Sequence, residues 1–187
     1  MVNRWIKTLF ILGLFIIGSS LAFFIKQSAN EDYEVYVDEL INQFSKEVRK
    51  EYGLCCSGSG GSMPYNVVSI KVKFQSNKHA TIEEARELDV KLIEKFLKLI
   101  NAHEKIRPYL CKYPFPVSGA QMSISFFAPD NSDHTDGSVC YVSQTNGNLT
   151  YYTYDEPTKG LKEIFQEPYT ESLKIVETTS KHPPFKL

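Results

Sequence analysis

Asn146-Gly147 lies between two runs of alternating character, and no other feature constrains the fold of this chain as tightly. Asn and Gly accept the positive φ angles of a type I′ turn, whose twist matches that of paired strands. A two-residue turn selects one register: Thr145 opposite Asn148, Ser143 opposite Thr150, Tyr141 opposite Tyr152 and Val139 opposite Tyr154. Two strands are therefore predicted, over 138–145 and 148–155. Cys140, Val142, Leu149 and Tyr151 share one face of this hairpin, and Tyr141, Tyr152 and Tyr154 share the other.

Other segments carry equally local signals. Val68, Ile70, Val72 and Phe74 alternate with Ser69, Lys71 and Lys73, the period of a strand with one buried face. Gln121 to Ala128 reads the same way, with Met122, Ile124 and Phe126 on one side. Between them, Thr81 and Glu84 form a capping-box pattern ahead of a broad apolar stripe. Ile82, Ala85, Leu88, Leu92, Phe96, Leu99 and Ile100 build that stripe, and Val90, Ile93 and Leu97 widen it. An earlier helix is predicted from Val37, Leu40, Ile41, Phe44 and Val48, with Asn30 as its cap and Gly53 as its stop. The aromatic, proline-bearing connection over 106–116 is expected to pack down without forming a regular helix.

Two segments are read with less local support. Ser57 to Ser62, rich in glycine and serine, is taken as a flexible connector. Leu161, Ile164, Phe165, Tyr169, Leu173 and Val176 recur in helical phase, so a helix is predicted over roughly 161–176, divided or restarted at Pro168. The order is then α-β-α-β-β-β-α. It describes an α+β domain in which about three helices pack on a mainly antiparallel, four-stranded sheet.

Near the start of the chain, Thr8 to Ile25 carries no charge over 18 residues. As a helix this stretch spans about 27 Å, close to the ~30 Å hydrocarbon core of a bilayer. Ser20-Leu21-Ala22 offers a cleavage site of the secretory type, but Phe23, Phe24 and Ile25 extend the apolar run beyond it. The expectation is an N-terminal transmembrane anchor or uncleaved signal over 1–27, in contact with a membrane through residues 5–25. A single domain over 28–180 and an irregular tail over 181–187 complete it. Arg4 and Lys7 ahead of the run favour a single-pass placement with a cytoplasmic N-terminus and an extracytoplasmic C-terminal domain.

Residues 1–26 hold three of the 21 basic residues and none of the 22 acids, leaving a net charge of −4 on the rest. A mildly acidic domain lacks the basic footprint of a nucleic-acid binder. Cys55, Cys56, Cys111 and Cys140 are an even set that permits disulfides outside the cytoplasm. Reduced, buried thiols are the competing account. No pair has the spacing of a structural zinc site, and no metal or other cofactor is expected.

The search for catalytic patterns is largely negative. Gly61 is followed by Ser62, Met63 and Pro64, so the glycine stretch is neither a P-loop nor a dinucleotide fingerprint. No nucleophile elbow or Ser-x-x-Lys pair exists. Cys55 or Cys56 with one of His79, His103, His134 and His182 is the best nucleophile–base combination available. The loop Asp130 to Gly137 has three aspartates but lacks the sixth-position glycine and twelfth-position glutamate of a calcium loop. Glu83, Glu84 and Glu87 suit the start of a helix.

The run Glu84-Ala85-Arg86-Glu87-Leu88 through Leu99-Ile100-Asn101, then Ile106-Arg107-Pro108-Tyr109-Leu110 and Tyr113-Pro114-Phe115, resembles a pattern in uncharacterised membrane-anchored proteins of intracellular bacteria. The resemblance covers about a third of the chain and implies a bacterial envelope location, with no activity, cofactor or catalytic residue attached. A non-catalytic envelope module is therefore expected, with Tyr141, Tyr152 and Tyr154 as the binding residues for a protein partner. A membrane-tethered enzyme with a cysteine site near Cys55 and Cys56 is the alternative.

Overall fold

The Asn146-Gly147 turn adopts the positive φ angles its residues favour, 52° and 81°. A computed structural model describes residues 33–181. In it β4 (Tyr141–Thr145) and β5 (Asn148–Asp155) pair antiparallel around that turn. Thr145 opposes Asn148, Ser143 opposes Thr150 and Tyr141 opposes Tyr152, as the turn requires. The expected Val139–Tyr154 pair does not form. β4 begins only at Tyr141, and the Val139 N–H is drawn instead to the Ala80 carbonyl at 3.1 Å.

The helix described over 33–52, α1, buries Tyr33, Val37, Leu40, Ile41, Phe44 and Val48. Gly53 stops it at φ 74°, its N–H donating back to the Arg49 carbonyl. The predicted cap, Asn30, lies outside the described residues. β2 (Ser69–Ser76) buries Ile70, Val72 and Phe74, and β3 (Ala120–Phe126) buries Met122, Ile124 and Phe126. Between them runs α2 (Ile82–Ala102), opened by a complete capping box in which the Glu84 N–H donates to Thr81 Oγ1 (3.2 Å) and the Thr81 N–H donates to Glu84 Oε2 (2.9 Å). A short 3-10 turn (Arg107–Tyr109) follows α2, and Ile106, Leu110 and Phe115 of this connection are buried.

The sheet has six strands rather than four. The stretch read as a flexible connector is β1 (Cys55–Ser62), an edge strand antiparallel to β2. Glycine lowers strand propensity, which hid this element, but pairing with β2 supplies the backbone partners that propensity does not. Gly61 is also required by contact: a Cβ there would stand 2.2 Å from the Ser69 carbonyl oxygen.

The predicted helix over 161–176 is two elements, β6 (Gly160–Pro168) followed by α3 (Tyr169–Lys181). The apparent helical phase of Leu161, Ile164 and Phe165 arises because Ile164 is the extra residue of a β-bulge: Tyr151 opposes Phe165 while Tyr152 opposes Glu163. None of those three apolar residues is buried, whereas Glu167 is.

In the sheet the strands stand in chain order from β1 to β6, with four antiparallel pairings and one parallel pairing, β2 with β3. The element order is α-β-β-α-β-β-β-β-α, an α+β fold on a mixed sheet. The three α-helices among the described residues cover one side of it. Phe44 of α1 meets Phe74 edge-on at 5.7 Å and lies 4.5 Å from Phe96 of α2, and the Tyr169 hydroxyl of α3 donates to Glu94 Oε1 of α2 at 2.6 Å.

The expectation of a transmembrane anchor is corrected as well. Among the described residues no helix is long and apolar enough to cross a membrane, so the structure gives the single-pass, extracytoplasmic placement no support. The segment on which that expectation rested, 1–27, lies outside the described residues, as do tail residues 182–187.

Candidate binding face

Alternation along each strand sends one set of side chains into the helix layer and the other to the opposite surface. On β2 to β5 the inner set is Phe74, Ile124, Val142 and Tyr151, which the register places side by side. Across the outer face the same register aligns Gln75, Ser125, Tyr141, Tyr152 and Glu163 in one row. A second row runs Lys73, Ser123, Ser143, Thr150 and Gln166. No helix among the described residues covers this face.

The outer face divides into a low polar centre and an aromatic corner. Ser123 and Thr150 in the centre are shielded by their neighbours, and Gln166 Nε2 donates to Thr150 Oγ1 at 2.9 Å. At the corner the Tyr141 and Tyr152 rings lie 5.6 Å apart, tilted by 48°, both half-buried. Tyr154 continues the strand on the same side, and its cross-strand partner is Leu161, 55% exposed. The three tyrosines singled out from the sequence thus fall on one uncovered surface, joined there by Leu161, which a helical assignment of 161–176 had concealed.

The four cysteines do not gather. Cys55 and Cys56 are exposed on β1, Cys111 is exposed in the connection after α2, Cys140 is buried beside β4, and all four are free thiols. The Cys56 thiol donates a hydrogen bond to the Gly58 carbonyl at 3.7 Å, and no histidine hydrogen bond to Cys55 or Cys56 occurs among the described residues. Burial, followed by the charge of Asp133, pushes the Cys140 thiol up to about 11. A nucleophile needs a base within hydrogen-bond reach, and among the described residues no histidine bonds these thiols.

The aspartate-bearing loop is likewise occupied with its own turns. Asp130 Oδ1 accepts from the Ser132 N–H and hydroxyl, and Asp136 accepts from the Ser138 N–H and from His79 Nε2 at 2.9 Å. His79 also meets the His134 ring edge-on at 5.2 Å. Among the described residues no three His, Cys, Asp or Glu side chains converge as metal ligands.

Behind the aromatic corner lies a polar cluster that sequence reading missed. Arg86 Nε donates to Glu167 Oε1 at 2.7 Å, and the Tyr151 hydroxyl donates to the same oxygen at 2.6 Å. Burial, and then that bond, push the Tyr151 phenol above its ordinary value. Nearby, Asp89 is fully buried with neither carboxylate oxygen hydrogen-bonded, and desolvation pushes its carboxyl up to about 8. Its signal was available, because Asp89 falls in helical phase with Ala85, Leu92 and Phe96 inside the apolar stripe. The cluster ties β5 and β6 to α2 behind the tyrosine-bearing corner.

Searches against family models, curated proteins and solved structures give no match for this chain.

Proposed function

We propose that this chain acts by binding a protein, without catalysis, through the uncovered sheet face at Tyr141, Tyr152 and Tyr154. The observation that carries this reading is the Tyr141–Tyr152 ring pair, half-exposed on a surface no described helix covers. Tyrosine suits such a contact because it contributes large apolar area with few rotatable bonds and keeps a hydroxyl for hydrogen bonding. Leu161 beside Tyr154 adds an apolar neighbour, and the serine and threonine rows offer a polar rim.

The test places a benzoylphenylalanine photo-crosslinker at Tyr152 of the full chain in its native host, and another at Lys98 on the helical side. A discrete protein adduct from Tyr152, absent from Lys98 and weakened by Tyr141→Ser, is the expected result. Equal adducts from both positions, or none from Tyr152, sink the reading.

A further inference from the structure

β6 ends the sheet, so its outer backbone N–H and C=O groups face no strand among the described residues. Natural edge strands are commonly short, charged or covered, because an open apolar edge recruits another chain. This one is nine residues long and carries Leu161, Ile164 and Phe165 at 55%, 39% and 41% exposure. β1, at the opposite edge, likewise has no outer partner among the described residues, but it is built of Cys, Ser and Gly, with no large apolar side chain. The two edges therefore differ in what they offer a neighbour.

From this we propose that β6 pairs antiparallel with β6 of a second copy of this chain, about a twofold axis at Phe165. In a twofold pairing each residue faces the one equally far beyond the axis, so the sequence must complement itself. With Ile164 set aside as the bulge residue, the axis at Phe165 puts Glu163 opposite Gln166, Lys162 opposite Glu167 and Leu161 opposite Pro168. Every pair is compatible. An axis at Lys162 or Glu163 sets a charge against itself, and one at Gln166 sets Phe165 against Glu167.

Two further details suit this register. Arg86 and Tyr151 both bond Glu167 through Oε1, which leaves Oε2 for Lys162 of the second copy. Phe165 already stacks on Tyr151 at 5.9 Å, so the axis joins two such stacks into one aromatic ladder. The dimer runs both sheets together and sets two tyrosine corners on one continuous face. It rests on the β6 edge alone and does not require the tyrosine surface to bind anything.

Sedimentation velocity of the full chain reads the association between about 1 and about 100 μM, where a weak homodimer becomes populated. The wild type should shift from one-chain to two-chain mass over that range. Lys162→Glu should weaken the dimer by about tenfold or more. Phe165→Lys should abolish it, and Ser57→Lys on β1 should leave it intact. Because Lys162 is exposed, Lys162→Glu tests the proposal even if Phe165→Lys fails to fold. A one-chain mass throughout, or a dimer untouched by Lys162→Glu, overturns it. So does a photo-crosslinker at Phe165 that captures only other proteins. Loss of the Tyr152 adduct with the dimer retained would instead count against the binding face.

Discussion

Arg86 Nε and Glu167 Oε1 meet at 2.7 Å across 81 positions of sequence, with side chains 10% and 6% exposed. This contact ties the second helix to the last strand, and Tyr151 completes it from the strand between. Removing one member of a buried ion pair leaves the other charge without compensation, at a cost of about 3–5 kcal/mol. Arg86→Leu and Glu167→Leu should each show that loss in urea unfolding. The double variant should lose much less than the two combined, giving a large coupling energy in the cycle. Additive losses would mean that the pair is not a unit.

Asp89 sets a pH dependence whose sign follows from its burial. Its carboxyl is pushed up to about 8 in the folded chain, against 3.8 for an ordinary aspartate. Between those values the folded state keeps a proton that the unfolded chain has released. Stability therefore falls as pH rises, by about 1.4 kcal/mol per pH unit at most, and the loss is complete once pH exceeds about 8. Asp89→Asn should be more stable than the wild type, with a gap that widens from pH 5 to pH 8. Urea midpoints of the two proteins across that range check this, and a constant gap would refute it.

Two glycines of β1 should respond differently to alanine. At Gly60 an added Cβ meets nothing within 4 Å, whereas at Gly61 it meets the Ser69 carbonyl oxygen at 2.2 Å. Gly61→Ala should detach the end of β1 and expose the amides that pair with Ser69 and Ile70 to faster hydrogen exchange. Gly60→Ala, compared in the same measurement, should leave that exchange within error.

The cysteines should separate by reactivity. Cys55, Cys56 and Cys111 are exposed, while Cys140 is buried with its thiol pushed up to about 11. A thiolate-specific disulfide reagent should modify three thiols of the reduced protein promptly and the fourth only on unfolding. Prompt modification of all four would show that the region around β4 opens readily.

The hairpin, α2 and the alternating core strands were legible in the sequence because their causes are local. Asn146-Gly147 imposes the register of its own flanks, Thr81 and Glu84 close a capping box three residues apart, and Ile70, Val72 and Phe74 declare their face by period. The tyrosine corner follows from that register, so its members could be named in advance. Which face the helices leave open could not, since both hairpin faces carry tyrosine.

Edge strands and buried charges have non-local causes. β1 exists because β2 offers it backbone partners, despite a glycine content that alone argues for a connector. β6 mimics a helix because a bulge at Ile164 shifts its period, and only Tyr151 and Arg86 reveal that Glu167 is its buried residue. Asp89 stands within the apolar stripe of α2, and only the packing around that helix shows it to be buried. Local sequence determined the turns, caps and strand periods, whose energies come from neighbours within a few residues. Packing between distant segments decided where the sheet ends, which face stays open and which acid loses its water.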